Sequence, residues 1–212
     1  MASGAVRQAS KLLAPRLVAN RTGVMCCDIQ ERFVPLIKNM DSIIHCSKWM
    51  LNAAKELKMP VIATEQYPKA LGSTVKDVKG ELEGAFMFEK TQFSMLTETV
   101  VETVKKQEDV DTWVILGIES HVCVQQTALG LLAMDKNVFV LADAVSSQYV
   151  GDRYVALERM RQAGAVVTTT ESAIFELLGD FKHPLAKKLS KGGKGRPECG
   201  LPTAALHASG KL

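Results

Sequence analysis

The chain of 212 residues predicts an α/β fold, a Rossmann-like three-layer sandwich built on a mostly parallel six-stranded sheet. Two observations carry this. Apolar, β-rich runs alternate with helix-period segments from residue 22 to about residue 180, the mark of strands joined by helical crossovers. Runs such as WVILG at 113–117 are apolar without alternation, as strands buried on both faces require. Right-handed crossovers then place helices on both faces of the sheet.

The elements follow in order. TGVMCCD at 22–28 is the first strand, an apolar run closed by an aspartate, and a helix follows near 38–58. PVIATE at 60–65 is the second strand and residues 66–80 a loop. AFMFEK at 85–90 is the third strand, followed by a helix over 94–106. TWVILG at 112–117 is the fourth, and the helix over 122–135 after it shows apolar periodicity at Val124, Ala128, Leu131 and Leu132. NVFVLAD at 137–143, a helix over 151–163, AVVTTT at 165–170 and a helix over 171–179 complete the pattern. The reading divides the chain into a basic arm at 1–21, a domain at 22–185 and a basic tail at 186–212.

Composition limits the classes of function. With 47% apolar and 23% charged residues the chain reads as an ordinary soluble domain, large enough to bury a sizeable core. No apolar run approaches the roughly 18 residues of a bilayer span. Five cysteines without a C-x-x-C pair indicate neither a disulfide scaffold nor a zinc ribbon, and favour a reducing compartment such as the cytoplasm. Of the net charge of +3, the arm carries +4 and the tail +5, which leaves −6 for residues 22–185. An acidic core argues against a nucleic-acid-binding face. The arm has arginine and serine but no acid, compatible with a mitochondrial presequence and equally with an arm that packs on a neighbouring subunit. The terminal Gly210-Lys211-Leu212 resembles a peroxisomal address.

Ligands of such sheets bind beyond the carboxyl ends of the strands. There the pattern puts Asp28, Glu65, Lys90, Glu119, Cys123 and Asp143. Cys123 falls in the first turn of a helix, where free N–H groups and the helix dipole favour a thiolate. Packing alone is the ordinary fate of a free cysteine. A base and a cation alter that reading: Asp28 can accept the thiol proton, and Lys90 can steady developing negative charge.

The segments CCDIQERF (26–33), TEQYPKALG (64–72), FEKTQFSM (88–95), GIESHVCVQQTALGLL (117–132) and ADAVSS (142–147) together resemble the isochorismatase-like cysteine hydrolases, and most of all the eukaryotic isochorismatase domain-containing proteins. The resemblance implies a catalytic triad of Cys123 as nucleophile, Asp28 as general base and Lys90 as electrostatic partner. It implies a cis peptide between Ile118 and Glu119, with the amides of Glu119 and Cys123 as an oxyanion hole, and Gln30 and Phe33 as pocket walls. His121 either faces substrate or packs the turn. Nicotinamidases in this superfamily hold a metal through histidines after the second strand. TEQYPKALG has no histidine, so no metal and no cofactor are expected.

The expected activity is thiol attack on a small amide or related carbonyl compound, with a thioester intermediate. The expected partners are that small-molecule substrate and further copies of the chain in a homo-oligomer. A ligand-binding or scaffold role is the alternative, motivated by the basic ends. A weaker one is RNA cleavage, since some relatives carry a ribonuclease label.

Overall fold

A computed structural model describes residues 15–200 of the chain. Residues 1–14 of the expected arm, His207 and the Gly210-Lys211-Leu212 terminus lie outside the described residues. Strands β1 (Thr22–Cys27), β2 (Val61–Gln66), β3 (Phe86–Lys90), β4 (Thr112–Ile118), β5 (Asn137–Ser146) and β6 (Val166–Thr168) form one sheet. Their order is β3-β2-β1-β4-β5-β6, and every pairing is parallel. Chain order reverses between β1 and β4, which opens a crevice beyond their carboxyl ends.

Helices α1 (Met40–Glu56) and α5 (Thr170–Leu178) cover one face; α2 (Glu98–Lys106), α3 (Gln125–Ala133) and α4 (Val150–Gln162) cover the other. The central strands are buried along their whole length, which is why they read as unbroken apolar runs. Their side chains still alternate: Val24 and Cys26 join the core beneath α1, whereas Met25 and Cys27 join the core beneath α2 and α3, as the two-residue period of a strand demands. Local chemistry sets the helix ends. α2 begins at Glu98 rather than residue 94, because the Thr97 hydroxyl accepts the Val100 N–H. Thr169 caps α5 in the same way, and Gly179 closes it at a φ of 69°.

Three expectations change. The loop at 66–80 contains two single-turn helices, Pro68–Leu71 and Lys76–Lys79, held down by buried Val75 and Val78. β5 runs on to Ser146 through a register break, for Ile115 pairs with Val140 but Gly117 with Val145. Asp143, read as the end of that strand, therefore lies inside it. Its carboxylate accepts the Thr170 N–H at 2.8 Å and hydroxyl at 2.9 Å, so it anchors the start of α5 instead of facing the crevice.

The third change concerns residues 186 onward, expected as a tail. Ala186 and Leu189 are buried in the core beneath α1, and the Trp49 indole N–H donates to the Leu189 carbonyl at 2.6 Å. Gly192 and Gly193 lie so close to that indole that a Cβ at either would stand 2.1 or 2.7 Å from the ring. Glycine there permits close contact, although in sequence it looked like linker composition. Further along, the buried Arg153 guanidinium donates to the Cys199 carbonyl at 2.8 Å. Trp49→Ala is expected to lose about 3–5 kcal/mol of stability in urea unfolding. It should also accelerate tryptic cleavage at Lys187, Lys188, Lys191 and Lys194, and unchanged cleavage there would refute the docking.

Candidate active site

The crevice is built from the ends of β1, β3 and β4. Asp28 leaves β1 with a φ of 48°, a left-handed conformation that aspartate tolerates better than most residues. Its Oδ1 accepts the Thr64 hydroxyl at 2.8 Å and its Oδ2 accepts Lys90 Nζ at 2.7 Å. The two charged side chains are 1% and 0% exposed.

Lys90 closes β3, and its ammonium is surrounded by acceptors. Besides Asp28 it meets Gln66 Oε1 at 2.6 Å, the Phe93 carbonyl at 2.9 Å, the Gln92 carbonyl at 3.2 Å and Cys123 Sγ at 3.8 Å. Burial opposes the charge, but the groups packed around it prevail and hold its pKa above the ordinary lysine value.

Cys123 does not begin an α-helix, as periodicity predicts. It belongs to a π-helical turn, Ser120–Val124, inserted between β4 and α3, an element common at functional sites. The Glu119 carbonyl accepts from both the Val122 and Val124 N–H groups at 3.1 Å. The Thr127 hydroxyl donates to the Cys123 carbonyl at 2.7 Å and accepts the Met95 N–H at 2.9 Å, tying the cysteine turn to the loop after β3. The peptide between Ile118 and Glu119 is cis. Just before it, Gly117 has a φ of 113° and runs so close to β1 that a Cβ would stand 2.0 Å from the Cys27 carbonyl oxygen.

The structure thus brings Asp28, Lys90 and Cys123 together. The side chains of the other expected residues make contacts of their own. Gln30 is fully buried and spends its amide on backbone: Nε2 donates to the Gln66 and Gly72 carbonyls at 2.9 and 2.7 Å, while Oε1 accepts the Gln66 N–H at 2.7 Å. It clamps the 66–72 loop. Phe33 is half-buried against the core beneath α1, whereas Cys123 belongs to the core on the opposite face. His121 has Nδ1 2.9 Å from Ser147 Oγ and Nε2 3.7 Å from Asp152 Oδ2. Glu119 accepts the Gln148 N–H at 2.9 Å, and Glu65 accepts the Thr74 N–H and hydroxyl at 2.6 and 2.8 Å. Both carboxylates fix loops.

Sequence reading missed Thr64, Gln66 and Thr127. The signal for the first two was present, since alternation along β2 puts Thr64 and Gln66 on one face, away from Glu65. Thr127 carries no comparable mark. Among the described residues, Cys27, Asp28 and Cys123 offer metal-ligand atoms within 4.8 Å of one another. The Lys90 ammonium, 2.7 Å from one of these groups and 3.8 Å from another, already supplies the cation. A cavity of about 310 Å³, lined in part by Tyr67, Glu89, Lys90 and Gln92, adjoins the end of β3. A larger one of about 480 Å³ lies far from this chemistry, between α1 and residues 192–197.

A family model described as the isochorismatase domain matches residues 22–172. Isochorismatase family protein 1A of Dictyostelium discoideum is 42% identical over 200 residues, covering 92% of this chain and 97% of that protein. Isochorismatase domain-containing protein 1 of Salmo salar is 43% identical over 187 residues, 87% of this chain, and the chain spans 65% of its length. A solved Caenorhabditis elegans structure described as MAR1 ribonuclease superposes with a TM-score of 0.84 at 41% identity, covering 88% of this chain and 97% of that one. YcaC of Escherichia coli, described as an octameric hydrolase of unknown specificity, superposes with a TM-score of 0.78 at 25% identity over 84% of this chain and 90% of that one.

Lys90→Met strands a buried carboxylate and is expected to lose about 3–5 kcal/mol in urea unfolding at neutral pH. The double variant Asp28→Asn/Lys90→Met, with no unpaired charge, should lose less. Because the folded pKa of Lys90 lies above its unfolded value, the pair's stabilisation is complete below the ordinary lysine pKa and fades as pH rises through the higher one. Wild-type stability should fall more steeply than the double variant's across that alkaline range. A single variant no worse than the double would contradict the pairing.

Proposed function

The chain belongs to the isochorismatase family, whose fold and hydrolase character it shares, and from that premise we propose that it is a thiol-dependent hydrolase of a small amide or related carbonyl compound. The observation that carries this reading is the Lys90 ammonium set 2.7 Å from Asp28 Oδ2 and 3.8 Å from Cys123 Sγ. In the proposed reaction Asp28 takes the Cys123 proton and the thiolate attacks the carbonyl carbon. The oxyanion of the tetrahedral intermediate is assigned to the amides of Glu119 and Cys123. Collapse expels the amine, protonated by Asp28, and leaves a thioester that water hydrolyses.

A base held ionised by a salt bridge is ordinarily weak. Here, however, proton transfer moves negative charge between two positions that flank the same ammonium. At an effective dielectric constant of 20, attraction over 2.7 Å and over 3.8 Å differs by only about 2 kcal/mol. Lys90 therefore favours the thiolate nearly as much as the carboxylate. With Cys123 only 7% exposed, small substrates fit this reading best. By analogy with the octameric YcaC we assign a homo-oligomeric state, and from the free cysteines a cytoplasmic location.

A second reading, RNA cleavage, is favoured by one observation, the likeness to the C. elegans MAR1 ribonuclease. It would use the same cysteine, because no pair of histidines faces the crevice among the described residues. The two readings separate in one experiment: incubation with a metabolite mixture and with RNA, followed by intact-mass and peptide analysis. The hydrolase reading expects an acyl adduct on Cys123 and no RNA cleavage that depends on Cys123. Asp28→Asn should lower turnover about 10²–10⁴-fold, and Cys123→Ala should abolish both adduct and turnover. Full turnover by Cys123→Ala would overturn the proposal.

A further inference from the structure

Cys27 takes no part in the proposed reaction, yet it shares the dry face of the sheet with Cys123. Strand alternation sends Cys26 beneath α1 and Cys27 toward α3, so these neighbours in sequence belong to separate cores. Cys46 lies with Cys26, and Cys199 belongs to the carboxy-terminal segment, near Arg153. Among the described residues Cys27 is thus the only other thiol on the face of Cys123. The two Sγ atoms lie within 4.8 Å of each other, and Cys27 Sγ also stands 3.5 Å from Asp28 Oδ2.

We infer that Cys27 and Cys123 form a redox pair, in which a hydroperoxide oxidises Cys123 and Cys27 resolves the product to an intramolecular disulfide. In the first step the Cys123 thiolate attacks the peroxide. The O–O bond breaks, the sulfur is oxidised by two electrons to sulfenic acid, and the peroxide leaves as alcohol or water. In the second, Cys27 sulfur attacks the sulfenic sulfur: an S–S bond forms, the S–O bond breaks and water departs. Asp28 Oδ2 is the acceptor placed to relay the Cys27 proton.

The roles are not interchangeable. Burial, together with the adjacent Cys123 and Asp28, pushes the Cys27 thiol well up, so Cys27 stays protonated and inert toward peroxide on its own. Cys123 lies against the Lys90 ammonium at 3.8 Å, a cation placed to steady negative charge that develops on its sulfur in the attack. Closing the gap to the roughly 2.05 Å of a disulfide requires the two side chains to turn toward each other. The disulfide would block the nucleophile reversibly and protect it from irreversible oxidation. The inference rests on the reactive Cys123 of the proposed function.

Hydrogen peroxide in several-fold molar excess, followed by intact-mass measurement and non-reducing peptide mapping, tests it without any substrate. The expected wild-type product is lighter by two hydrogens, links the Cys27 and Cys123 peptides, and recovers its iodoacetamide labelling at Cys123 after dithiothreitol. Cys27→Ala and Cys27→Ser should instead gain two or three oxygens on Cys123, with no recovery by dithiothreitol. A wild-type protein whose Cys123 alkylates readily but gains oxygens without cross-linking would overturn this inference alone, as would a Cys27→Ala protein that recovers like wild type. A Cys123 that neither alkylates nor oxidises would overturn both this inference and the thiol mechanism.

Discussion

A buried ammonium shared by a carboxylate and a thiol is the constraint on which the site depends. An isolated ammonium in a dry interior is prohibitively unfavourable, and Lys90 is met by Asp28, Gln66 and the Gln92 and Phe93 carbonyls. Asp28 in turn accepts from Lys90 and from the Thr64 hydroxyl. Each makes the other tolerable, and Cys123 is placed against the charge that results. A buried pair of this kind is weak evidence of stabilisation. Its retention is better understood through what it does to the neighbouring sulfur.

Much of the surrounding structure holds that ammonium in place. The parallel sheet reverses its chain order between β1 and β4, so Asp28 and Cys123 arise from adjacent strand ends while Lys90 comes from the sheet edge. Gln66 joins the two, meeting Lys90 with its side chain while Gln30 clamps its backbone. Thr127 ties the cysteine turn to the loop that follows Lys90. Gly117 lets β4 pass within contact of β1. The polar residues around the crevice are thus engaged chiefly in geometry, and few side chains remain to meet a substrate.

The parts legible in the sequence were those governed by local periodicity. Unbroken apolar runs marked β1 and β4 because both faces of those strands are covered, and the strand-end rule put Asp28, Lys90 and Cys123 among six candidates, from which side-chain chemistry and the family resemblance singled out the three. The rule erred where regularity broke. Asp143 was misplaced because the register break in β5 is invisible to a two-residue period. The π-turn around Cys123 read as ordinary helix for the same reason. Residues 186–199 looked like tail because glycine and lysine dominate them, although their contact with Trp49 lies about 140 positions away in sequence.

By itself the sequence determined the fold class and the order of the strands along the chain, since apolar pattern and strand ends are properties of short segments, and its motifs pointed to the three residues that converge. Only the tertiary structure decided how those residues are paired, that Gln30 and His121 are held by other parts of the chain, and that Cys27 shares the face of Cys123. The reason is physical: hydrogen bonds and charge pairs act over a few ångströms in space, and close packing chooses the neighbours from segments the sequence keeps far apart.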